Sequence, residues 1–133
     1  MIQTDSIPAA ARLFIALGAI AALLAVALGA FGAHALKLRL APEAMQIYKT
    51  GVEYHFYHAL GLVLVGLAAI HLPQSARLRA AGWTMLAGMV LFSGSLYLLA
   101  LTGRNWLGAI TPFGGVGVIA AWGLFAAAFI GRP

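Results

Sequence analysis

Cysteine is absent from this 133-residue chain, which removes disulfides, thiolate catalysis, iron–sulfur clusters and covalently attached haem in one step. Charge is scarce as well: Asp, Glu, Lys and Arg make up 8% of the residues, and only three of these residues are acidic. No complete catalytic, nucleotide-binding or metal-ligand motif is present; HExxH is missing, and Glu53 stands two and five positions before His55 and His58 rather than at the Glu-x-x-His spacing of di-iron bundles. The net charge of +5 does not point to nucleic acid, because the cations stand singly or in pairs and never form a basic run.

The charges that do occur leave four long gaps. Residues 13–36, 54–76, 80–103 and 105–131 contain no Asp, Glu, Lys or Arg. Each gap exceeds the roughly 20 apolar residues that cross a hydrocarbon core of about 30 Å. With 63% hydrophobic residues in a short chain, this composition predicts a single all-α domain, an integral membrane four-helix bundle with helices near 13–34, 42–71, 79–102 and 112–131. Arg12, Lys37, Arg39, Arg77, Arg79, Arg104 and Arg132 flank the gaps, where they can reach lipid headgroups. Ala33-His34-Ala35 matches the small-x-small cleavage pattern of a secretory leader. The apolar run from residue 13 to 33 nevertheless has 21 residues, against about 7 to 15 for a leader's hydrophobic stretch. It is therefore expected to remain as a span.

Within the first gap Gly18, Ala22, Ala25, Gly29 and Gly32 recur at intervals of four and three and share one helix stripe. In lipid, helices associate by close packing rather than by expulsion from water, so such a stripe predicts a docking groove for a neighbouring helix. Gly114 and Gly117 suggest the same on the last helix. Ala41-Pro42-Glu43 marks the start of the second helix, with proline in the first turn and an acid beside the positive helix end. Its first turns, through Met45, Tyr48 and Val52, are amphipathic and are expected at the interface, with Lys49 and Glu53 spaced to pair. The short segment around Pro73 predicts a hairpin of the second and third helices. Trp83, Tyr97 and Trp106 suit the headgroup level, His71 the end of a helix, and Arg104 a loop that meets lipid phosphate.

One polar group stands out: His34 at the end of the first helix, and Lys49, Glu53, Tyr54, His55, Tyr57 and His58 early in the second. A single loop joins these helices, so the group is expected to gather near one membrane face, where ionisable side chains are candidates for function. His55 and His58 share a helix face, and with His34 they suggest metal ligation. Haem between two histidines, a quinone site or a proton site through Glu53 and His58 fits the same residues, and nothing in the spacing selects among them. No cofactor or metal is named by these residues. The plainer alternative is that the rings bond backbone carbonyls, headgroups and one another.

Gly29-Ala30-Phe31-Gly32-Ala33-His34-Ala35-Leu36 and the run from Tyr48 to Leu60 resemble the signature of the YgdD/YwdK-like family of small bacterial inner-membrane proteins. Phe92-Ser93-Gly94-Ser95-Leu96-Tyr97, Thr111-Pro112-Phe113-Gly114-Gly115 and Trp122 extend the likeness over nearly the whole chain. The resemblance implies a four-helix protein of the bacterial inner membrane. That family is uncharacterised, with a eukaryotic transmembrane relative, so the likeness carries over no substrate, cofactor or catalytic residue. It does include His34, Glu53 and His58 among its signature positions.

Taken together these features favour a small multi-pass protein acting through packing, with membrane lipid, a second copy or a larger membrane complex as partner, and they lean away from an enzyme. The reading of a different class is a membrane-embedded metal, haem, quinone or proton site built from His34, Glu53, His55 and His58. A transporter ranks third, since four helices make a narrow path and no charged residue is expected at mid-membrane. Orientation by charge is tied. Arg12, Arg77, Arg79 and Arg132 fall on the side of the termini, against Lys37, Arg39, Lys49 and Arg104 opposite, and Glu43 and Glu53 tip the expectation to cytoplasmic termini.

Overall fold

The computed structural model describes residues 6–131. Arg132, one of the flanking cations, lies outside the described residues. Four helices follow in order: α1 Ala9–Phe31, continued by one π turn Gly32–Leu36; α2 Pro42–His71; α3 Ala76–Thr102; and α4 Thr111–Ala127, preceded by a short 3-10 segment Asn105–Ala109. All four are long and apolar enough to cross a membrane, the π turn extending α1 and the 3-10 segment extending α4. No strand is present among the described residues.

Local chemistry sets the ends. Pro8 precedes α1, which begins four residues before the charge-free gap and takes Arg12 into its first turn. Pro42 opens α2 with Glu43 in the first turn, and the 30 residues run unbroken to His71, about 45 Å at 1.5 Å per residue. Ser75 caps α3 by accepting the Leu78 amide at 3.2 Å, so the helix starts at Ala76, with Arg77 and Arg79 inside it. Gly103, at φ 68°, closes α3 in the left-handed conformation that glycine adopts without strain. α4 ends at Ala127 and the chain turns through 128–131. Its terminal carbonyls are met in part by Arg77, whose guanidinium donates to the Ala127 oxygen at 2.8 Å from the neighbouring end of α3.

Each helix packs chiefly on its neighbours in sequence, α1 on α2, α2 on α3 and α3 on α4. Phe14, Leu62, Val65, Ala81, Met85 and Ala121 bring all four helices to one central cluster. Small residues allow the close approaches. A Cβ at Gly18 would lie 2.7 Å from the Val63 amide nitrogen and 2.8 Å from the Ala59 carbonyl. Gly29 faces Val52 and Gly32 faces the Tyr48 ring, while Ala25 is wholly buried and Ala22 partly so. On the other side of the bundle Gly114 and Gly117 lie against the α3 backbone around Gly88 and Phe92. Large apolar side chains such as Ile20, Leu23, Val26, Val116 and Ile119 point outward, where lipid solvates them.

The register of these contacts fixes depth. Val52 stands level with Gly29, which is eight residues before Lys37 and seventeen after Arg12; at 1.5 Å per residue that is about 12 Å from one charged end of α1 and about 25 Å from the other. On the opposite side Gly51 faces Tyr97, seven residues before Arg104, again about 10 Å inside the charged end. The first turn of α2 lies near the level of Lys37. For a 30 Å hydrocarbon core centred between Arg12 and Lys37, this register sets Glu53 roughly 8 Å inside the boundary.

Candidate functional site

The polar residues of α2 divide into those that face the bundle and those that face away from it. Tyr48, His55 and His58 are buried, whereas Lys49, Glu53, Tyr54 and Tyr57 are exposed. This follows from helical periodicity: 48, 55 and 58 fall on the stripe of Gly51, Ala59 and Leu62, which α1 and α3 cover.

Each inward group is matched to a neighbouring backbone or side chain. The Tyr48 hydroxyl donates to the Leu28 carbonyl of α1 at 2.6 Å. His55 Nδ1 is 2.8 Å from the Tyr97 hydroxyl of α3, and its ring also meets the backbone of Ala21 on α1. The Ser93 hydroxyl donates to the Gly51 carbonyl at 2.7 Å, and Ser95 and Thr111 join α3 to α4 at 2.7 Å. His58 Nδ1 donates to the Tyr54 carbonyl one turn back at 2.6 Å, its ring beside Tyr54 and Trp122. These contacts tie every pair of sequential helices together inside a medium that offers no water as a substitute partner.

Tyr97 is therefore not a headgroup anchor. Its ring turns in against Tyr48, with centroids 5.3 Å apart, and its hydroxyl meets His55. Trp83 and Trp106 remain exposed near helix ends. Tyr97→Phe should lower the stability of the bundle by about 1 kcal/mol, the scale of an interhelical hydrogen bond in a membrane. Unfolding titrations in SDS would measure this, with Tyr54→Phe, an exposed ring, as the unchanged control.

The expected gathering at one face does not occur. His34 is exposed in the π turn, level with residues 45–46 of α2 because Gly32 meets Tyr48. That leaves about 14 Å along the helix axis to His55. His55 turns to α3 and His58 to Trp122 of α4, so the two rings do not converge. No group of three His, Asp or Glu side chains that could hold a metal ion forms among the described residues. Glu53 lies on the outer surface of the bundle. With Lys49 one turn nearer the headgroups, it lines a groove of about 240 Å³ whose other walls are Gly29 and Ala33 of α1 and Met45, Tyr48 and Val52 of α2. A second groove of about 560 Å³ begins at Glu53 and continues between Val26 and Ala30 on α1 and Phe56 and Tyr57 on α2.

Sequence reasoning did not find the inward partners Tyr48, Ser93, Tyr97 and Thr111 as a set. Their meeting depends on interhelical register, for which glycines opposite aromatic rings, such as Gly32 with Tyr48 and Gly51 with Tyr97, are the only local sign.

Comparison with known proteins gives a consistent result. The family described as "Protein of unknown function (DUF423)" matches residues 28–115, which hold the π turn, α2, α3 and the start of α4. The UPF0382 membrane protein YwdK of Bacillus subtilis is 55% identical over 111 residues, covering 84% of this chain and 90% of that protein. UPF0382 membrane proteins of Staphylococcus epidermidis and Staphylococcus haemolyticus are 49% and 47% identical, each over 84% of this chain and 89% of the relative. No solved structure matches.

Proposed function

The chain belongs to the DUF423 family, whose matched relatives are named as membrane proteins, and from that premise we propose that it acts by lateral association inside the bacterial inner (plasma) membrane, presenting the outer face of α1 and α2 to another membrane-embedded protein surface. The observation that carries this reading is Glu53, exposed on the outer face of α2 at a register that falls about 8 Å inside a hydrocarbon core centred on the charged ends of α1. Ionisable side chains at such depth face a bundle interior, a partner or a water-filled cavity, because lipid tails cannot solvate the charge. Lys49 has a stem long enough to lift its ammonium to the headgroups, whereas the shorter Glu53 one turn deeper does not.

Both termini are assigned to the cytoplasmic side. The flanking cations are tied, and Glu43 and Glu53 stand on the other side.

A photoreactive phenylalanine at Ala30, on the same face as Glu53, should give protein adducts on illumination of membranes. The same residue at Ile119, which is 73% exposed on α4, should give lipid adducts alone. Lipid adducts alone at both positions would overturn the association.

A further inference from the structure

α1 and α3 each pack chiefly on α2 rather than on each other. Between them a cleft of about 300 Å³ opens to the lipid, with Ile20, Leu24 and Val90 exposed at its mouth; this is the lower end of the range for small-molecule sites. We infer that this cleft binds a neutral lipid with an apolar chain and a free hydroxyl, the chain lying between Ile20 and Val90 and the hydroxyl against Ser93 and Tyr97. Leu17 and Leu24, which line it, stand across α1 from Val26 and Ala30 of the Glu53 groove, so the cleft is separate from the face of lateral association and does not depend on it.

Three polar side chains line an otherwise apolar wall: His55 from α2, and Ser93 and Tyr97 from α3. Ala21, whose backbone the His55 ring meets, is nine residues after Arg12 and sixteen before Lys37. The ring therefore stands about 14 Å from one charged end of α1 and about 24 Å from the other. A phospholipid headgroup would lose its hydration at that depth, which makes the ligand neutral. Hydrogen counting selects its polar end. The Ser93 hydroxyl spends its one hydrogen on the Gly51 carbonyl, and the Tyr97 hydroxyl and His55 Nδ1 share another at 2.8 Å. Whichever of that pair donates, the two hydroxyl oxygens keep more free lone pairs than hydrogens, so a donor is favoured over a ketone or an ester. Gly94 provides the room. A Cβ there meets nothing within 4 Å, whereas one at Gly51 would strike Tyr97 and one at Gly88 would strike Val118. Neither a helix contact nor a positive φ requires glycine at position 94, and it costs the helix up to about 1 kcal/mol relative to alanine. Its effect is to keep the cleft open beside Ser93.

The test uses dodecan-1-ol carrying a diazirine in mid-chain, illuminated with the full chain in phosphatidylcholine vesicles and compared with its methyl ether. Mass spectrometry of the adducts should place the alcohol at Ile20, Leu24 or Val90. The ether should label these residues about tenfold less, the worth of one hydrogen bond. Ser93→Ala combined with Tyr97→Phe should bring alcohol and ether to equal labelling, a ratio that a purely structural loss would not move. Gly94→Leu, whose Cβ meets no other helix, should abolish labelling of the cleft, while Gly123→Leu, in equally open surroundings on α4, leaves it unchanged. Equal labelling by alcohol and ether in the unaltered protein would show that acyl chains merely cover an apolar surface and would overturn the inference. Labelling of the cleft that survives Gly94→Leu, or adducts confined to other surfaces, would overturn it as well.

Discussion

Gly114→Ala should be among the most damaging single-methyl substitutions available in this protein, destabilising the bundle by about 3 kcal/mol, the upper end of ordinary overpacking. The added Cβ would stand 2.7 Å from the Phe92 Cα and 2.9 Å from the Gly88 carbonyl oxygen. These are backbone atoms of α3, so no side-chain rotation can make room and α4 must move away as a unit. Gly123→Ala on the same helix has nothing within 4 Å of its new methyl. It should be neutral or gain up to about 1 kcal/mol from better helix propensity. Steric-trap or SDS unfolding of the two variants side by side reads the difference. Equal destabilisation would mean that helix propensity, not the α3 contact, governs α4.

Phe14→Ala should cost about 3 kcal/mol, within the range for emptying a buried aromatic position. The ring is 1% exposed, sits in the notch left by Gly82 and meets Trp83 edge-on with centroids 5.4 Å apart. In a bilayer the transfer contribution shrinks, because unfolded helices are also in apolar surroundings, but the dispersion attraction forfeited around the cavity does not. Ile20→Ala, on a side chain 56% exposed to lipid, should change stability by only a few tenths of a kcal/mol, since acyl chains refill the space. Thermal aggregation in mild detergent checks both, and equal losses would show that α1 does not rest on Phe14.

Much of this architecture was legible because a membrane imposes simple rules. Four charge-free gaps longer than a bilayer core yielded four helices, and Ala41-Pro42-Glu43 marked the start of α2. The starts of α1 and α3 lay beyond the gaps, because Arg12, Arg77 and Arg79 are accommodated in the first turns after Pro8 and Ser75. A charge count treats such residues as outside the helix. Position across helices was the harder matter. Whether Tyr97 looks outward to the headgroups or inward to His55 depends on how far α3 slides along α2, which no single-helix pattern contains. The same holds for Glu53: its sequence neighbours Lys49 and Gln46 suggest an interface, and only the pairing of Val52 with Gly29 sets it deeper. The short connecting loop suggests that His34 reaches the histidines of α2, but antiparallel helices meet at equal distances from their turn. His34 lies close to that turn, and His55 stands several helical turns further along α2.

The neighbour-to-neighbour order of the helices also bears on biogenesis. Because α1 meets α2, α2 meets α3 and α3 meets α4, most tertiary pairing is complete as soon as the next segment leaves the insertion machinery, and contact order is low for a four-span protein. The first three helices assemble without waiting for the last. α4 is the last segment to be made and so the last to join, where its glycines meet α3, Thr111 bonds Ser95, Trp122 packs beside His58 of α2 and Arg77 bonds its end.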